Sequence, residues 1–528
     1  MKPRQLTTAQ EAVTRIKDGD VFSLNAVGAI GFPDAFFPAL EERFLKEGHP
    51  RNLTLYSACG FGTETSGIRH LSPPGLISCL MAGYILPDSA FASAIIAGEM
   101  EGYNLPQGIM SMNFRAAAAG RPGFHSKAGL HTFADPRYQG CALNERSKRQ
   151  LVTVDKVDGE EYLFYRTVKP DVCILRGTAA DPCGNITMEK EAHTGDALAM
   201  AMATRNNGGQ VMVQVERLSD TAAKPQDVRI PGALVDAIWV SPYQPRTNRR
   251  GCNPFYSGER RAPEEPDAKL CPENMTLKRL PGKPVSPAER IIARRAALEL
   301  KDSYMVSLGI GTPMLAACEA AEMGLLTDRH HLSIETGALG GVPVPDDFGA
   351  VINPEAIYDM ASQFEFYEGG CLDAALVGAL EIDGSGNVNV IRKGNALFGA
   401  GGFHHVTHSA KKIVVCSRFR RGSGFAEENG QIKLVDGSDD KFVKEAECVA
   451  LNARYFRALG KKIIYITERC VLELQDDGFV LTEITPGLHP LYSVMQYIPF
   501  PVKVAGRLRY MPTVCFDFLT KGMRQKGE

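Results

Sequence analysis

The chain has 528 residues, of which 44% are hydrophobic and 23% charged, and its formal net charge at pH 7 is -2. This length exceeds one ordinary hydrophobic core, so we expect two large lobes or several domain-sized units. The composition is that of an average soluble protein. The near-neutral charge gives no electrostatic reason to expect nucleic acid or a membrane surface as a partner.

Cysteine usage and apolar runs indicate the compartment. The 13 cysteines are scattered and form no C-x-x-C pair, which argues against a zinc site or dithiol redox centre and favours a reducing environment. Residues 1–20 lack the apolar core of a secretion signal. The apolar run from Ile77 to Leu86 is about half of the roughly 20 residues that a membrane-spanning helix needs. We therefore predict a cytoplasmic protein.

The first half of the chain reads as βα units. From Ile16 to Glu42, a strand-like run leads through a glycine-containing loop into a helix-like run. A second β-rich run begins at Asn52 and breaks into glycines, and a third strand-like run begins at Asp171. Strands that alternate with helices in this way are typical of a mainly parallel sheet.

Residues 241–285 interrupt this pattern. They are rich in proline, arginine and glutamate and have little hydrophobic periodicity, which predicts an interdomain connection. Acidic residues are interleaved with the arginines, so a solvated linker is favoured over a phosphate or nucleic-acid contact. We place an N-terminal lobe at 1–240 and a C-terminal lobe at 286–528.

The second half repeats the plan of the first. The run from Leu300 to Glu322 repeats the opening unit, the stretch from His331 repeats the second β-rich run, and the run from Asp373 repeats the third without a gap. We therefore predict an α/β fold of two similar lobes, each a mainly parallel sheet flanked by helices. Loops at the carboxyl ends of the strands are expected to form an active site between the lobes.

Glu335 is the most informative residue of the second half. It lies in an apolar, glycine-rich turn, LSIETGALGGVP, and the first half has no carboxylate in the matching place. Glycines such as Gly337, Gly340 and Gly341 allow close backbone approach and can direct N–H groups at negative charge. With an ordinary pKa of about 4.3, the carboxylate is expected to be ionised at neutral pH. We interpret Glu335 as a candidate covalent nucleophile, with a capping or loop-anchoring role as the alternative.

Four glycine-rich segments are expected to converge on Glu335. The first, LGIGTP, lacks the third glycine of a dinucleotide-binding fingerprint because Met314 stands there, and no Walker A sequence is present. The other segments are the TGALGG that follows Glu335, YEGGCLD with Gly369 and Gly370, and FGAGGF with Gly399 to Gly402.

Two other groups of residues have chemical potential. Cys59 lies in a glycine turn and is a possible thiol nucleophile, but no adjacent histidine supplies a base, so buried packing is favoured. His404, His405 and His408 in GGFHHVTH suggest a metal cluster. No nearby acidic residue completes such a cluster, so a structural or pocket role is favoured and no metal is predicted.

Taken together, EGYNLPQG, ADPCGNITMEKEA, LGIGTP, IETGALGGVP, FEFYEGGCLD and AGGF resemble the family I coenzyme A transferases. The resemblance is closest to the single-chain branch that acts with acetate, propionate or 3-keto acids, and it covers nearly the whole chain. It implies that CoA moves between a short-chain acyl-CoA and a free carboxylate in a ping-pong reaction, through a glutamyl-CoA thioester on Glu335.

The resemblance also implies roles for two sets of residues. The residues expected to contact CoA are Gly309, Ile310, Gly311, Gly399, Ala400, Gly401 and Gly402. The residues expected to bind the acyl group or its oxyanion are Gln107, Ser57, Ala58, Cys59 and Gly60. CoA enters as the acyl-CoA substrate, no permanently bound cofactor is implied, and the protein is expected to form a homotetramer or homodimer.

Two other functions remain open at this point. In an acyl-CoA hydrolase, water would intercept the activated acyl group, and acyl-CoA would be consumed without an added carboxylate. In a non-catalytic acyl-CoA sensor of the same fold, binding would leave Glu335 unlabelled.

Overall fold

The computed structural model describes residues 6–60, 62, 67–241, 253–262, 285–327, 329–344, 347–428 and 431–519. The helices of the N-terminal half are α1 (Ala9–Val13), α2 (Phe36–Glu47), α3 (Ala90–Ile96), α4 (Gln107–Ala118) and α5 (Ala197–Asn206). Its strands are β1 (Val21–Leu24), β2 (Val27–Gly28), β3 (Leu53–Ser57), β4 (Cys59–Gly60), β5 (Ile77–Ala82), β6 (Glu101–Asn104), β7 (Gly123–Ser126), β8 (Val152–Val157), β9 (Glu160–Arg166), β10 (Val172–Ala180), β11 (Ile186–Thr187), β12 (Gln210–Leu218), β13 (Val228–Ile230) and β14 (Ala237–Val240).

After the short helix α6 (Pro254–Ser257), the C-terminal half has the helices α7 (Pro287–Ala297), α8 (Thr312–Glu322), α9 (Met360–Glu368), α10 (Phe403–Ser409) and α11 (Ala453–Ala458). Its strands are β15 (Met305–Leu308), β16 (His331–Ser333), β17 (Ala338–Leu339), β18 (Val342–Pro343), β19 (Val351–Ile352), β20 (Ala356–Ile357), β21 (Ala374–Val377), β22 (Glu381–Asp383), β23 (Val388–Asn389), β24 (Arg392–Lys393), β25 (Ala396–Leu397), β26 (Lys412–Cys416), β27 (Gly424–Glu428), β28 (Gln431–Val435), β29 (Phe442–Val443), β30 (Lys462–Ile466), β31 (Cys470–Gln475), β32 (Gly478–Ile484) and β33 (Val502–Tyr510).

Each half is built on one large, mainly parallel sheet, which confirms the predicted fold class. The central strands run in the order β10-β1-β3-β5-β6 in the N-terminal half and β16-β15-β21-β26-β30 in the C-terminal half, with parallel pairing throughout. Every residue of β10 is buried, as expected for a parallel strand with helices on both faces. Antiparallel strands occur towards the edges of both sheets, for example β11 and β31.

The internal repeat is visible in the strand register. Phe22 of β1 pairs with Leu55 on one side and Val172 on the other. Val306 of β15 has the equivalent pairing, with Leu332 and Ala374. The two halves therefore share a three-strand core in which the first strand of each repeat lies between the second and the third.

The turn after the third repeated strand is the same in both halves. In the first half, Asp181 accepts hydrogen bonds from the main-chain N–H of Asn185 (2.9 Å) and from its side-chain amide (2.9 Å). In the second half, Asp383 accepts the same two bonds from Asn387, at 2.9 and 3.0 Å. The gap-free match in the sequence thus reflects a repeated hydrogen-bonded turn.

The two halves pack against each other through one hydrophobic core. Residues of α4 and α9 belong to the same buried cluster. Gly108 of α4 permits this packing, because a Cβ atom there would lie 2.6 Å from the Phe364 ring and 2.7 Å from the His405 ring. The loops at the carboxyl ends of the two sheets are thereby held face to face.

Part of the predicted linker is folded. In residues 253–262, Phe255 and Tyr256 are buried in a cluster that includes Ile352, and the Tyr256 hydroxyl donates to Asp347 (2.9 Å). The remainder of the predicted linker, 242–252 and 263–284, lies outside the described residues. The proposed lobe boundaries stay a prediction.

Candidate active site

Loops from both sheets meet at one pocket of about 300 Å³. From the C-terminal half, Gly309 follows β15, Glu335 follows β16 and Gly378 follows β21. From the N-terminal half, Cys59 follows β3 and Gln107 follows β6. All five lie beyond the carboxyl ends of parallel strands, which is where such sheets place their ligand sites.

Glu335 is the only carboxylate among the described residues that line this pocket. Burial raises its pKa to about 7, while a hydrogen bond from the Gly402 N–H lowers it in part. With this pKa about half of the Glu335 carboxylate is ionised at pH 7, a smaller fraction than for the ordinary glutamate that the sequence analysis assumed. The cause is loss of hydration, which disfavours the charged form.

The register of the repeat explains why Glu335 has no acidic counterpart. Tyr56 and Ser333 occupy equivalent pairing positions opposite β1 and β15. Counting two residues onward places Ala58 in the position of Glu335, so the matching place holds no carboxylate, as predicted, although aligning the starts of the two runs at Asn52 and His331 would have placed Tyr56 there.

The raised pKa of Glu335 has a consequence for stability. An acid whose pKa is higher in the folded than in the unfolded state contributes stability below its unfolded pKa, and this contribution is lost as the pH rises through the folded pKa. The interval from about 4.5 to about 7 corresponds to roughly 3 kcal/mol at most. We expect Glu335→Gln to raise the free energy of unfolding, measured by urea titration, by about 1–3 kcal/mol more at pH ~8.5 than at pH ~5. An equal gain at both pH values would contradict a raised pKa for this partly buried carboxylate.

The Gly399–Gly402 loop lies directly against Glu335. A Cβ atom at Gly402 would lie 2.3 Å from both Cδ and Oε1 of Glu335, so only glycine leaves room for the carboxylate there. Every residue of this loop lines the pocket. Three of its N–H groups are engaged elsewhere, since Gly399 donates to Ile391 O, Ala400 to Asn104 Oδ1 and Gly401 to Gly83 O. The Gly402 N–H is the one that faces Glu335.

Only part of the other predicted CoA-contacting turn, Gly309 to Gly311, lines the pocket. Gly309 and the exposed Ile310 line the pocket, and the Gly309 N–H donates to Leu376 O (2.8 Å). Gly311 is exposed at the N-cap of α8 with φ of 80° and is not among the lining residues. The structure therefore brings two of these three residues to Glu335.

Gln107 is fully buried at the start of α4 and lines the pocket. Its Nε2 donates to the Met360 sulfur (3.3 Å), a weak acceptor, and its Oε1 has no hydrogen-bond partner among the described residues. Its main-chain N–H donates to Gly401 O (2.9 Å). An amide with one weak and one missing partner can reorient at little cost, so its N–H₂ group is available to a ligand oxygen.

Only one residue of the Ser57–Gly60 turn reaches the pocket that contains Glu335. Cys59 lines it, whereas Ser57 accepts a hydrogen bond from the Gly60 N–H (3.1 Å) and both face a small neighbouring cavity. The Ala58 carbonyl accepts the Gly83 N–H (3.0 Å). Burial, with a smaller contribution from Glu335, raises the pKa of the Cys59 thiol, which keeps it protonated and disfavours the thiol-nucleophile alternative.

Comparison with known proteins assigns this arrangement to a family. The coenzyme A transferase family profile matches residues 6–241. A caffeate CoA-transferase from Acetobacterium woodii is 34% identical over 97% of this chain and 97% of its own length. The acetate CoA-transferase YdiF from Escherichia coli (strain K12) is 34% identical over 96% of this chain and 93% of its own. The chain belongs to the coenzyme A transferase family.

Solved structures agree with this assignment. The apoenzyme of acyl-CoA transferase YdiF from E. coli O157:H7 has a TM-score of 0.86 and 32% identity, and the match covers 98% of each chain. A second YdiF structure with the same similarity is a thioester complex with CoA. This protein is therefore a CoA-transferase enzyme, as the resemblance implied. None of the helices in the described ranges combines the length and apolar character needed to cross a membrane.

Two expected glycine segments of this CoA-transferase have structural rather than pocket roles. The N–H groups of Gly337 and Gly340 donate to Ile334 O and Leu332 O, so they cannot bind developing negative charge. Gly369 and Gly370 end α9 on the amino side of β21, away from the pocket. The expectation that all four segments converge on Glu335 is wrong, because sequence proximity does not fix which edge of a sheet a loop occupies.

Two histidines of the GGFHHVTH segment, His404 and His405, are core residues, and His408 is partly buried. His404 and His405 are buried on α10, and burial lowers the pKa of His404 to about 4 and that of His405 well below its ordinary value. Across the described residues, no group of three histidine, cysteine or acidic side chains is arranged to hold a metal ion. Both rings are therefore neutral at physiological pH, and His405 stacks edge-on against Phe364.

Several pocket residues carried no signal that the sequence analysis used. Aromatic side chains provide much of the lining, namely Tyr84, Phe348, Phe398 and Phe403. Phe398 and Phe403 flank the predicted glycine loop, and Tyr84 follows the carboxyl end of β5. Applying the strand-end rule to every predicted strand would have suggested Tyr84.

Proposed function

We propose that this CoA-transferase moves CoA between a short-chain acyl-CoA, of the acetate, propionate or 3-keto acid class, and a free carboxylate. The observation that carries the proposal is the position of Glu335, a lone carboxylate in an apolar pocket at the junction of the two halves. The relatives named for acetate and for caffeate support carboxylate exchange, and the thioester complex of YdiF with CoA supports a covalent intermediate.

The reaction begins at Glu335. Its ionised carboxylate attacks the acyl thioester carbon, and the C–S bond breaks to give an acyl-glutamyl anhydride and CoA thiolate. The thiolate then attacks the glutamyl carbonyl, which releases the first acid as its carboxylate and leaves Glu335 as a CoA thioester. An incoming carboxylate reverses both steps and departs as the new acyl-CoA. No proton is consumed, so the chain needs no separate general base.

Two donors are available to the oxyanions in this cycle. The Gly402 N–H already faces the Glu335 carboxylate, so it stays beside the same oxygen when the glutamyl carbonyl becomes tetrahedral. The Gln107 amide lines the same pocket and has spare hydrogen-bonding capacity. Loss of one such donor commonly costs about 3 kcal/mol of transition-state stabilisation.

Trapping of the intermediate tests the proposal. The purified enzyme is mixed with acetyl-CoA or propionyl-CoA, treated with borohydride or chased with a carboxylate, and analysed by intact-protein and peptide mass spectrometry. We expect an adduct of CoA mass on the Glu335 peptide, and its removal by the chase with formation of a new acyl-CoA. Acyl-CoA loss without an acceptor would indicate a hydrolase, and tight binding without an adduct would indicate a sensor.

The pKa of Glu335 predicts the pH dependence of thioester formation. Because burial raises this pKa to about 7, the nucleophilic fraction falls as the pH drops through neutrality. We expect the second-order rate constant for thioester formation, measured in single-turnover experiments, to rise with pH to a plateau. The midpoint of this rise should lie near pH 7. A rate that does not change between pH ~5.5 and ~8.5 would show that another group or step is limiting.

Three further properties belong to the proposal. We place the enzyme in the cytoplasm as a homodimer or homotetramer, with CoA arriving as substrate and no permanently bound cofactor. Light scattering after size exclusion measures the oligomer, and a metal analysis with an absorption spectrum of the purified enzyme reveals any resident group.

A further inference from the structure

The Gly399–Gly402 loop belongs to the C-terminal half but is bonded to the N-terminal half. The Gly401 N–H donates to Gly83 O (2.8 Å), and the Gln107 N–H donates to Gly401 O (2.9 Å). Just before the loop, Phe398 O accepts the Ile85 N–H (2.5 Å). Groups from the opposite half therefore set the position of the loop that faces the nucleophile.

One side chain, Asn104, connects these contacts. It is fully buried at the end of β6. Its Nδ2 donates to the carbonyls of Ala82 (2.9 Å) and Gly83 (2.5 Å), and its Oδ1 accepts the Ala400 N–H (2.9 Å). The amide thus joins a turn of the N-terminal half to the loop of the C-terminal half through three main-chain groups.

The two ends of the loop are in close contact with different partners. A Cβ atom at Gly399 would lie 2.6 Å from Asn104 Nδ2, and a Cβ atom at Gly402 would lie 2.3 Å from Glu335 Cδ. Only two residues separate these glycines. A displacement at the Asn104 end therefore reaches Glu335 with little room for relaxation.

We propose that Asn104 is a positioning residue that fixes the Gly399–Gly402 loop, and with it the Gly402 N–H, against Glu335. Asn104 is not a lining residue of the pocket, so it acts through the loop. Its side chain supplies two donors and one acceptor at fixed angles, which neither a hydroxyl nor an apolar side chain of similar size can reproduce. The inference rests on the proposed role of Glu335 as nucleophile.

Asn104→Ala tests this role through two measurements, the rate of thioester formation and the pH at which that rate is half of its plateau value. We expect thioester formation at saturating acyl-CoA to slow by about 10- to 100-fold, as for other small displacements of reacting groups, with a smaller change in KM. Loss of the Gly402 hydrogen bond removes the contact that lowers the Glu335 pKa, so the pH midpoint moves to higher pH. A residue that only stabilises the fold would change neither the limiting rate of the folded enzyme nor this midpoint.

Asn144→Ala is the matched control. The Asn144 amide also donates to two carbonyls, those of Ile95 (2.7 Å) and Met100 (2.9 Å), and its Oδ1 accepts the Arg146 N–H (3.1 Å). These partners all belong to the N-terminal half and none lines the pocket. We expect a similar loss of thermal stability in this variant, with the wild-type rate and pH midpoint.

The outcomes separate this inference from the proposed function. A wild-type enzyme that forms no thioester on Glu335 overturns the function itself. A wild-type enzyme that forms the thioester, together with an Asn104→Ala variant that has the same limiting rate and midpoint, overturns only the role of Asn104. If Asn104→Ala does not fold, Asn104→Ser adds no buried charge and keeps a hydroxyl that can donate or accept one hydrogen bond, and we expect a smaller rate loss. Wild-type behaviour of that variant would then overturn the inference.

Discussion

Glu335→Gln is expected to reduce CoA transfer by at least about 10⁴-fold, because the amide retains the size of the carboxylate but cannot form the anhydride or the thioester. The variant should fold, since Gln accepts the Gly402 N–H in the same way and removes a poorly hydrated charge. We expect no CoA adduct on the corresponding peptide after incubation with acyl-CoA, while equilibrium binding of acyl-CoA is retained.

Glu335→Asp is the informative companion to this variant. It keeps the carboxylate but withdraws it by one methylene from Gly402, where a Cβ atom would lie 2.3 Å from the native carboxyl carbon. We expect measurable but much slower thioester formation. Normal exchange by a folded Glu335→Gln protein would exclude Glu335 as the nucleophile and, with it, the ping-pong mechanism.

Gly402→Ala is expected to have the second largest effect, about a 10²-fold loss in the rate of thioester formation. The backbone at Gly402 has φ of -81° and ψ of 0°, which alanine adopts without strain. The added methyl group would instead collide with the end of the Glu335 side chain. Because the atoms that the methyl group would meet belong to the end of a side chain and not to the main chain, the loss should fall on the chemistry and leave the thermal midpoint nearly unchanged.

Gly506→Ala provides the control for this substitution. A Cβ atom at Gly506 meets no atom within 4 Å, and the residue lies on the distant strand β33. We expect wild-type rates from it. A Gly402→Ala enzyme with wild-type rates would show that the Glu335 carboxylate reacts from a position away from this loop, contrary to the proposed geometry.

The two halves of the chain both contribute groups to the proposed catalytic pocket. The nucleophile and the loop that faces it are both in the C-terminal half, but Gln107 and Asn104 come from the N-terminal half. A change in the packing of α4 against α9 therefore changes the spacing between the two sets of groups. Both copies of the repeat therefore contribute residues to the pocket, although among the described residues only the C-terminal copy places a carboxylate there.

The sequence by itself determined the repeat and the α/β fold class, and it predicted Glu335 as the candidate nucleophile. These features depend on local patterns, namely strand-like runs that break into glycines and a single carboxylate in an apolar, glycine-rich turn. The same patterns correctly indicated the Gly399–Gly402 loop as a neighbour of Glu335, since its glycines make close approach possible. The reaction type, CoA transfer through a glutamyl-CoA thioester, was inferred from the motifs that resemble CoA transferases.

Only the tertiary structure decided how each of these groups is used. The pKa of Glu335 rises because partial burial in a pocket lined by residues of both halves reduces its hydration, and burial by distant segments leaves no local trace in a sequence. Likewise, the N–H groups of Gly337 and Gly340 donate hydrogen bonds to neighbouring main-chain carbonyls, although their sequence resembles an anion-binding turn. Asn104 gains its role from a hydrogen bond to Ala400, nearly three hundred residues away in the chain, and such a contact exists only once the two sheets have packed together.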